Sequence, residues 1–157
     1  MERNHKEHRQ RMHEAYVELT VRMQPNAFVT LAANNYGHLH EMTRLIGRFC
    51  GMVDRELLGH KWHKLPVEKR LNGIFFIEHT KTNIHAHGLL KFPEAPDADL
   101  PLMTAHKWNR LTNAGDTDFQ FIGDDDRERV AGYCTKEMKG FLFNGDQVVL
   151  ASQLMKH

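Results

Sequence analysis

Apolar positions along the chain alternate between a helical and a strand period. Met12, Tyr16, Leu19 and Met23 recur at intervals of four, three and four, which predicts a helix over residues 4–23 that Pro25 closes. AFVTLAA (27–33) reads as a strand, followed by a turn at Asn34, Asn35 and Gly37. Leu39, Met42, Leu45, Ile46 and Phe49 return to helical spacing. Two apolar runs, 74–80 and 84–92, flank the polar residues Lys81, Thr82 and Asn83 and read as a β-hairpin. A connection over 93–101 leads to a short helix over 104–111, a strand over 118–122 and a helix over roughly 125–138. FLFNGDQVVL, from Phe141 on, suggests a terminal hairpin through Asn144 and Gly145. The resulting β-α-β-β-α-β core predicts an α+β, ferredoxin-like or RRM-like antiparallel sheet of four to five strands with helices mainly on one face. Residues 1–25 form a helical extension, and residues 26–157 the domain proper.

The hairpin carries the first candidate chemistry. Residues two apart on a strand share a face, so His85 and His87 project together. With Lys81 and Thr82 as a two-residue loop, Glu78 lies opposite His85, and three metal-ligand side chains converge. A slip of one residue would instead bring His79 to that face. Two imidazoles and a carboxylate suit a divalent ion with open coordination positions, whereas a structural zinc site is more often closed by four ligands. Another H-x-H, His38 and His40, begins a predicted helix, where residues two apart diverge; it stays unassigned.

Composition changes this picture little. A chain of 157 residues is expected to form one domain, and its formal net charge of +1 neither favours nor excludes a nucleic-acid partner. Cys50 and Cys134 form no C-x-x-C pair, so a zinc ribbon is not expected and a reducing compartment is. There is no apolar run of membrane-spanning length and the N-terminus is polar, giving the expectation of a cytoplasmic protein without a membrane partner.

Two further groups bear on function. GHKWHKLPVEKR (59–70) sets basic residues around Trp62; Lys61 and Lys64 would meet phosphates while the indole stacks on a base, or else the segment is a solvated loop with Trp62 tucked into the core. On the last predicted helix, YCTKE places Lys136 and Glu137 three and four residues after Tyr133, on the same side. A phenol is a poor nucleophile at neutral pH, but a neighbouring ammonium or an electropositive metal site favours its phenolate.

FVTL (28–31), HAH (85–87) and YCTKE (133–137) resemble, in order and separation, motifs I, II and III of the HUH endonucleases, specifically the single-tyrosine Rep domains that initiate rolling-circle replication. The resemblance spans residues 28–137. It implies His85 and His87 as metal ligands, Glu78 as the accompanying carboxylate, Tyr133 as nucleophile and Lys136 as its companion. Glu137 falls where related Rep proteins carry an acidic residue, and Thr30 would be structural or contact DNA. The implied activity is Mn²⁺- or Mg²⁺-dependent nicking and rejoining of single-stranded or hairpin DNA through a 5′-phosphotyrosine, in replication or mobilisation of a plasmid, virus or transposable element. No helicase domain follows, so unwinding is expected from a separate helicase. The alternatives are an RRM-like binding module without catalysis and a metal-dependent hydrolase that uses water in place of Tyr133.

Overall fold

The computed structural model describes residues 2–34, 38–79, 83–137 and 147–154, with backbone alone for Glu2, His79, Lys136 and Glu137. The elements run α1 (Glu2–Arg22), β1 (Ala27–Ala32), α2 (Leu39–Leu58), two short 3-10 turns, β2 (Asn72–His79), β3 (Ile84–Lys91), α3 (Leu100–Leu111), β4 (Asp116–Phe121), α4 (Arg127–Glu137), β5 (Val148–Leu150) and α5 (Ala151–Leu154). The five strands form one sheet in the order β4-β1-β3-β2-β5, every neighbouring pair antiparallel. This is the expected α+β, ferredoxin-like arrangement, with β5 added at the β2 edge.

Alternation along the strands gives the sheet two faces. Ala27, Val29 and Leu31 of β1, Phe75 and Ile77 of β2, and Ile84, Ala86 and Leu90 of β3 point to one face. There they pack against Met42, Ile46, Phe49 and Val53 of α2, Met103 and Trp108 of α3, and Ala151 of α5. The Trp108 indole N–H donates to the Ala32 carbonyl at 2.9 Å, which satisfies the one polar atom of the largest buried side chain. The other face holds a smaller core: Ile74, Phe76 and Leu89 from the sheet, Val130, Ala131 and Cys134 from α4, with Tyr16 and Val17 of α1 and Met23 just after it around them. The second face is therefore not bare; α1 and α4 cover part of it.

Several boundaries differ from the periodicity. The helix expected over 104–111 begins at Leu100, because Asp99 caps it by accepting from the Leu102 amide and Pro101 sits in the first turn, where its missing N–H is harmless. The α2 helix continues nine residues past Phe49, and residues 59–70 fold into 3-10 turns at Trp62–Lys64 and Val67–Lys69. In α1 Thr20 is buried and Tyr16 and Val17 are half-buried, while Leu19 is exposed. Residues 141–146 of the expected terminal hairpin lie outside the described residues; β5 pairs with β2, Ile74 opposite Leu150. Among the described residues no helix is long and apolar enough to cross a membrane.

Candidate metal centre

The register of β2 and β3 sets Glu78 opposite His85 and Phe76 opposite His87, as the hairpin reading expects. The next pairing, β3 with β1, sets Thr30 opposite His87 and Phe28 opposite Leu89. Along this face the sheet thus changes character row by row. A row of Phe28, Leu89 and Ile74 is apolar; Thr30, His87 and Phe76 come next; Ala32, His85 and Glu78 end it. The ligand-type side chains stand where the apolar cover of α1 and α4 runs out.

Glu78 lies within hydrogen-bond distance of His85 and close to His87. Its Oε2 lies 2.7 Å from Nε2 of His85, and its Oε1 lies 3.6 Å from Nε2 of His87. The neighbouring imidazoles, His85 first and His87 second, hold the Glu78 carboxyl well below the usual carboxylate range, at about 2, against the opposing effect of burial. The carboxylate is therefore an anion at neutral pH. One ligand atom from each of the three residues can be chosen so that all lie within 4.8 Å of one another, which brings them around a single point.

The second imidazole is oriented from two sides. Thr30 Oγ1 lies 3.1 Å from His87 Nδ1, and the Phe28 ring stacks on the imidazole at 5.8 Å between centroids, 27° between planes. With Nδ1 engaged by the hydroxyl, Nε2 is the ring nitrogen turned toward Glu78 and left to ligate a cation held between them, the arrangement in which a metal-ligating histidine is held by an outer partner. His85 and His87 meet edge to face at 5.1 Å, so their ring nitrogens approach the carboxylate from different directions.

The residues present fit a divalent ion. Glu78 Oε1 and His85 Nδ1 are buried without a hydrogen-bond partner, and a carboxylate oxygen facing two imidazoles is better satisfied by a cation than by either ring alone. The side chains of Glu78, His85 and His87 remain 22%, 22% and 14% exposed, so further coordination positions are open to water or a phosphate oxygen.

The other predicted residues lie in two places. Tyr133 is on α4, one residue before buried Cys134, and is 54% exposed on the helix that covers the triad's face of the sheet. Lys136 and Glu137 end that helix. Lys61, Trp62 and Lys64 are not brought to the triad. Trp62 packs toward Gly51 of α2, on the other side of the sheet, with the Arg70 guanidinium 5.6 Å over its ring. Arg70 pins the segment further through the carbonyls of Leu65 and His63. Lys61 and Lys64 are exposed there.

Two contacts of the site face escape a reading of the chain. Thr30 orients His87 because β1 and β3 pair, a non-local fact with no trace in local periodicity. His13 of α1 contacts Thr135 of α4, Nδ1 to Oγ1 at 2.6 Å, and so fastens α1 to the helix of Tyr133. Comparison of the chain with protein-family models, curated proteins and solved structures yields no match.

Proposed function

We propose that this protein is a metal-dependent nickase and strand transferase for single-stranded DNA, of the HUH Rep kind. The observation that carries the reading is the convergence of Glu78, His85 and His87 on the same sheet face that α4, bearing an exposed Tyr133, also covers. Each part alone is common; a facial triad and a solvent-accessible phenol on one side of a ferredoxin-like sheet is a combination suited to phosphodiester chemistry.

Glu78, His85 and His87 would hold Mn²⁺ or Mg²⁺, with Thr30 fixing the His87 ring. A bound ion supplies Lewis-acid withdrawal of charge from the scissile phosphate. Tyr133 loses its proton to solvent and attacks phosphorus in line; the bond from phosphorus to the 3′ oxygen breaks, and that oxygen takes up a proton as it leaves. The products are a 5′-phosphotyrosine and a free 3′-hydroxyl. One phosphodiester has been exchanged for another, so the hydroxyl can attack back and rejoin the strand. Lys136, three residues after Tyr133, is assigned to the phosphate or the leaving group. Mobilisation or rolling-circle replication of a small DNA element, with unwinding by a separate helicase, is the setting this chemistry serves.

An RRM-like module binds through free aromatics on this face, and here they are engaged: Phe28 stacks on His87, and Phe76 lies under Tyr16 at 6.2 Å. The nickase reading is therefore preferred. Its test is incubation with a labelled pool of single-stranded and hairpin DNAs and Mn²⁺, resolved on a denaturing gel. A protein band carrying label, absent with EDTA and in Tyr133→Phe, is expected. Cleaved DNA without attached protein, persisting in Tyr133→Phe, would instead establish a hydrolase that uses water, and binding indifferent to EDTA a non-catalytic module.

A further inference from the structure

The amino-terminal half of α1 is helical from Glu2, yet residues 3–11 are all exposed. Its sequence RNHKEHRQR has no apolar side chain, four fixed cations and one carboxylate. A 21-residue helix whose first half buries nothing is not explained by packing.

The direction of those charges follows from helix geometry. Seven residues make almost two turns, so positions seven apart share a face. The packed face of α1 is marked by His13, bonded to Thr135 of α4, and by Tyr16, which sits edge-on over Phe76. Lys6 lies seven residues before His13, and Arg9 seven before Tyr16. The face that docks on α4 and the sheet over the second half of α1 is therefore cationic over the first half, with His5 beside it. The outer face differs. Glu7, Glu14 and Glu18 lie along it together with Arg11 and Arg22, so both signs mix there, and Arg22 pairs with Glu18 at 2.6 Å.

We infer that the inward face of the first half of α1, Lys6 and Arg9 foremost, is a contact surface for the phosphodiester backbone of the nucleic acid that lies on the triad face. Charge selects a polyanion. The lack of apolar groups over residues 3–11 removes an apolar groove or a bilayer as partner, since an amphipathic membrane helix needs an apolar face to insert. Continuity selects nucleic acid, because the same helical face continues onto the sheet surface bearing Glu78, His85 and His87. The inference rests on the proposed function for the identity of the strand, and it assigns α1 a part in holding it.

Counterion release makes this measurable. Binding of a fluorescent single-stranded oligonucleotide is followed by anisotropy between about 50 and 200 mM salt, in a Tyr133→Phe background that prevents turnover. Replacing two phosphate contacts is expected to make the plot of log K against log salt shallower by about 1.4, at roughly 0.7 per contact on a single strand. Lys6→Ala with Arg9→Ala should show this loss, Lys6→Arg with Arg9→Lys should restore it, and Arg11→Ala on the outer face should leave the slope unchanged. Alanine keeps helix propensity, and far-ultraviolet circular dichroism verifies that α1 persists. An unchanged slope in the double alanine variant, an equal loss in Arg11→Ala, or no salt-dependent binding by the parent chain overturns the inference. Adduct formation with an unchanged slope defeats this inference alone; a changed slope without any adduct defeats the nickase and leaves the contact surface standing.

Discussion

At the scale of single residues, the site depends on how tightly each ligand is aimed. Thr30 has no ligand atom in the triad, but its hydroxyl engages the far nitrogen of His87, and partners of this kind set the ring's orientation and basicity. Thr30→Val keeps the β-branched shape of a strand residue while removing the hydroxyl. It is expected to weaken Mn²⁺ binding by about tenfold or more, as loss of such partners generally does. Calorimetric titration of the metal measures it, and unchanged affinity would remove Thr30 from the site. Glu78 was recognisable because a carboxylate opposite the first histidine follows from hairpin counting; Thr30 entered only through the resemblance, as structural or a DNA contact, and its hold on His87 was not legible, since strand β1 lies some fifty residues earlier in the chain.

Between elements, the joint of α2 with β2 shows a different use of a carboxylate. Asp54 is fully buried on α2, and its Oδ1 accepts the Leu71 amide at 2.7 Å just before β2, while Oδ2 has no hydrogen-bond partner. Burial pushes the carboxyl up to about 6, opposed in part by the Leu71 amide and by Arg70. The folded chain therefore holds the proton more tightly than the unfolded chain. This contribution to stability is complete below the ordinary carboxylate range and is lost as pH rises through about 6. Denaturant unfolding at pH 5 and pH 7.5 is expected to show a fall in stability of about 1.4 kcal/mol from this group, because only the interval from pH 5 up to the folded value of about 6 contributes, at about 1.4 kcal/mol per unit. Asp54→Asn, neutral throughout, should lack that component. Equal pH dependence in both proteins would mean that Asp54 is ionised without cost in the folded state.

For the molecule as a whole, α1 is structural as well as cationic. Tyr16, Val17 and Met23 complete the second core with Ile74, Phe76 and Leu89, and buried Thr20 and the contact of His13 with Thr135 add polar closure. A chain beginning at Gln24 would expose that core. At roughly 1.5–3 kcal/mol for each large side chain removed from water, two such losses amount to several kcal/mol, a large share of a typical domain's stability. A marked drop in melting temperature and increased association are expected by calorimetry and light scattering. Retention of the parent melting temperature would show that the sheet face is self-sufficient.

Period and turn chemistry were enough to read the strands, the hairpin register that opposes Glu78 to His85, and the α+β order, because each depends on residues near in the chain. Boundaries slipped where a cap or a proline in the first turn outweighed periodicity, as at Asp99 and Pro101. Long-range pairing was a different matter. That Thr30 meets His87, that Trp62 turns to α2 instead of the triad, and that α1 and α4 share a sheet face with the histidines were settled only when distant segments closed on one core. Local patterns record which face a side chain prefers; which partner occupies that face follows from burial summed over the whole chain.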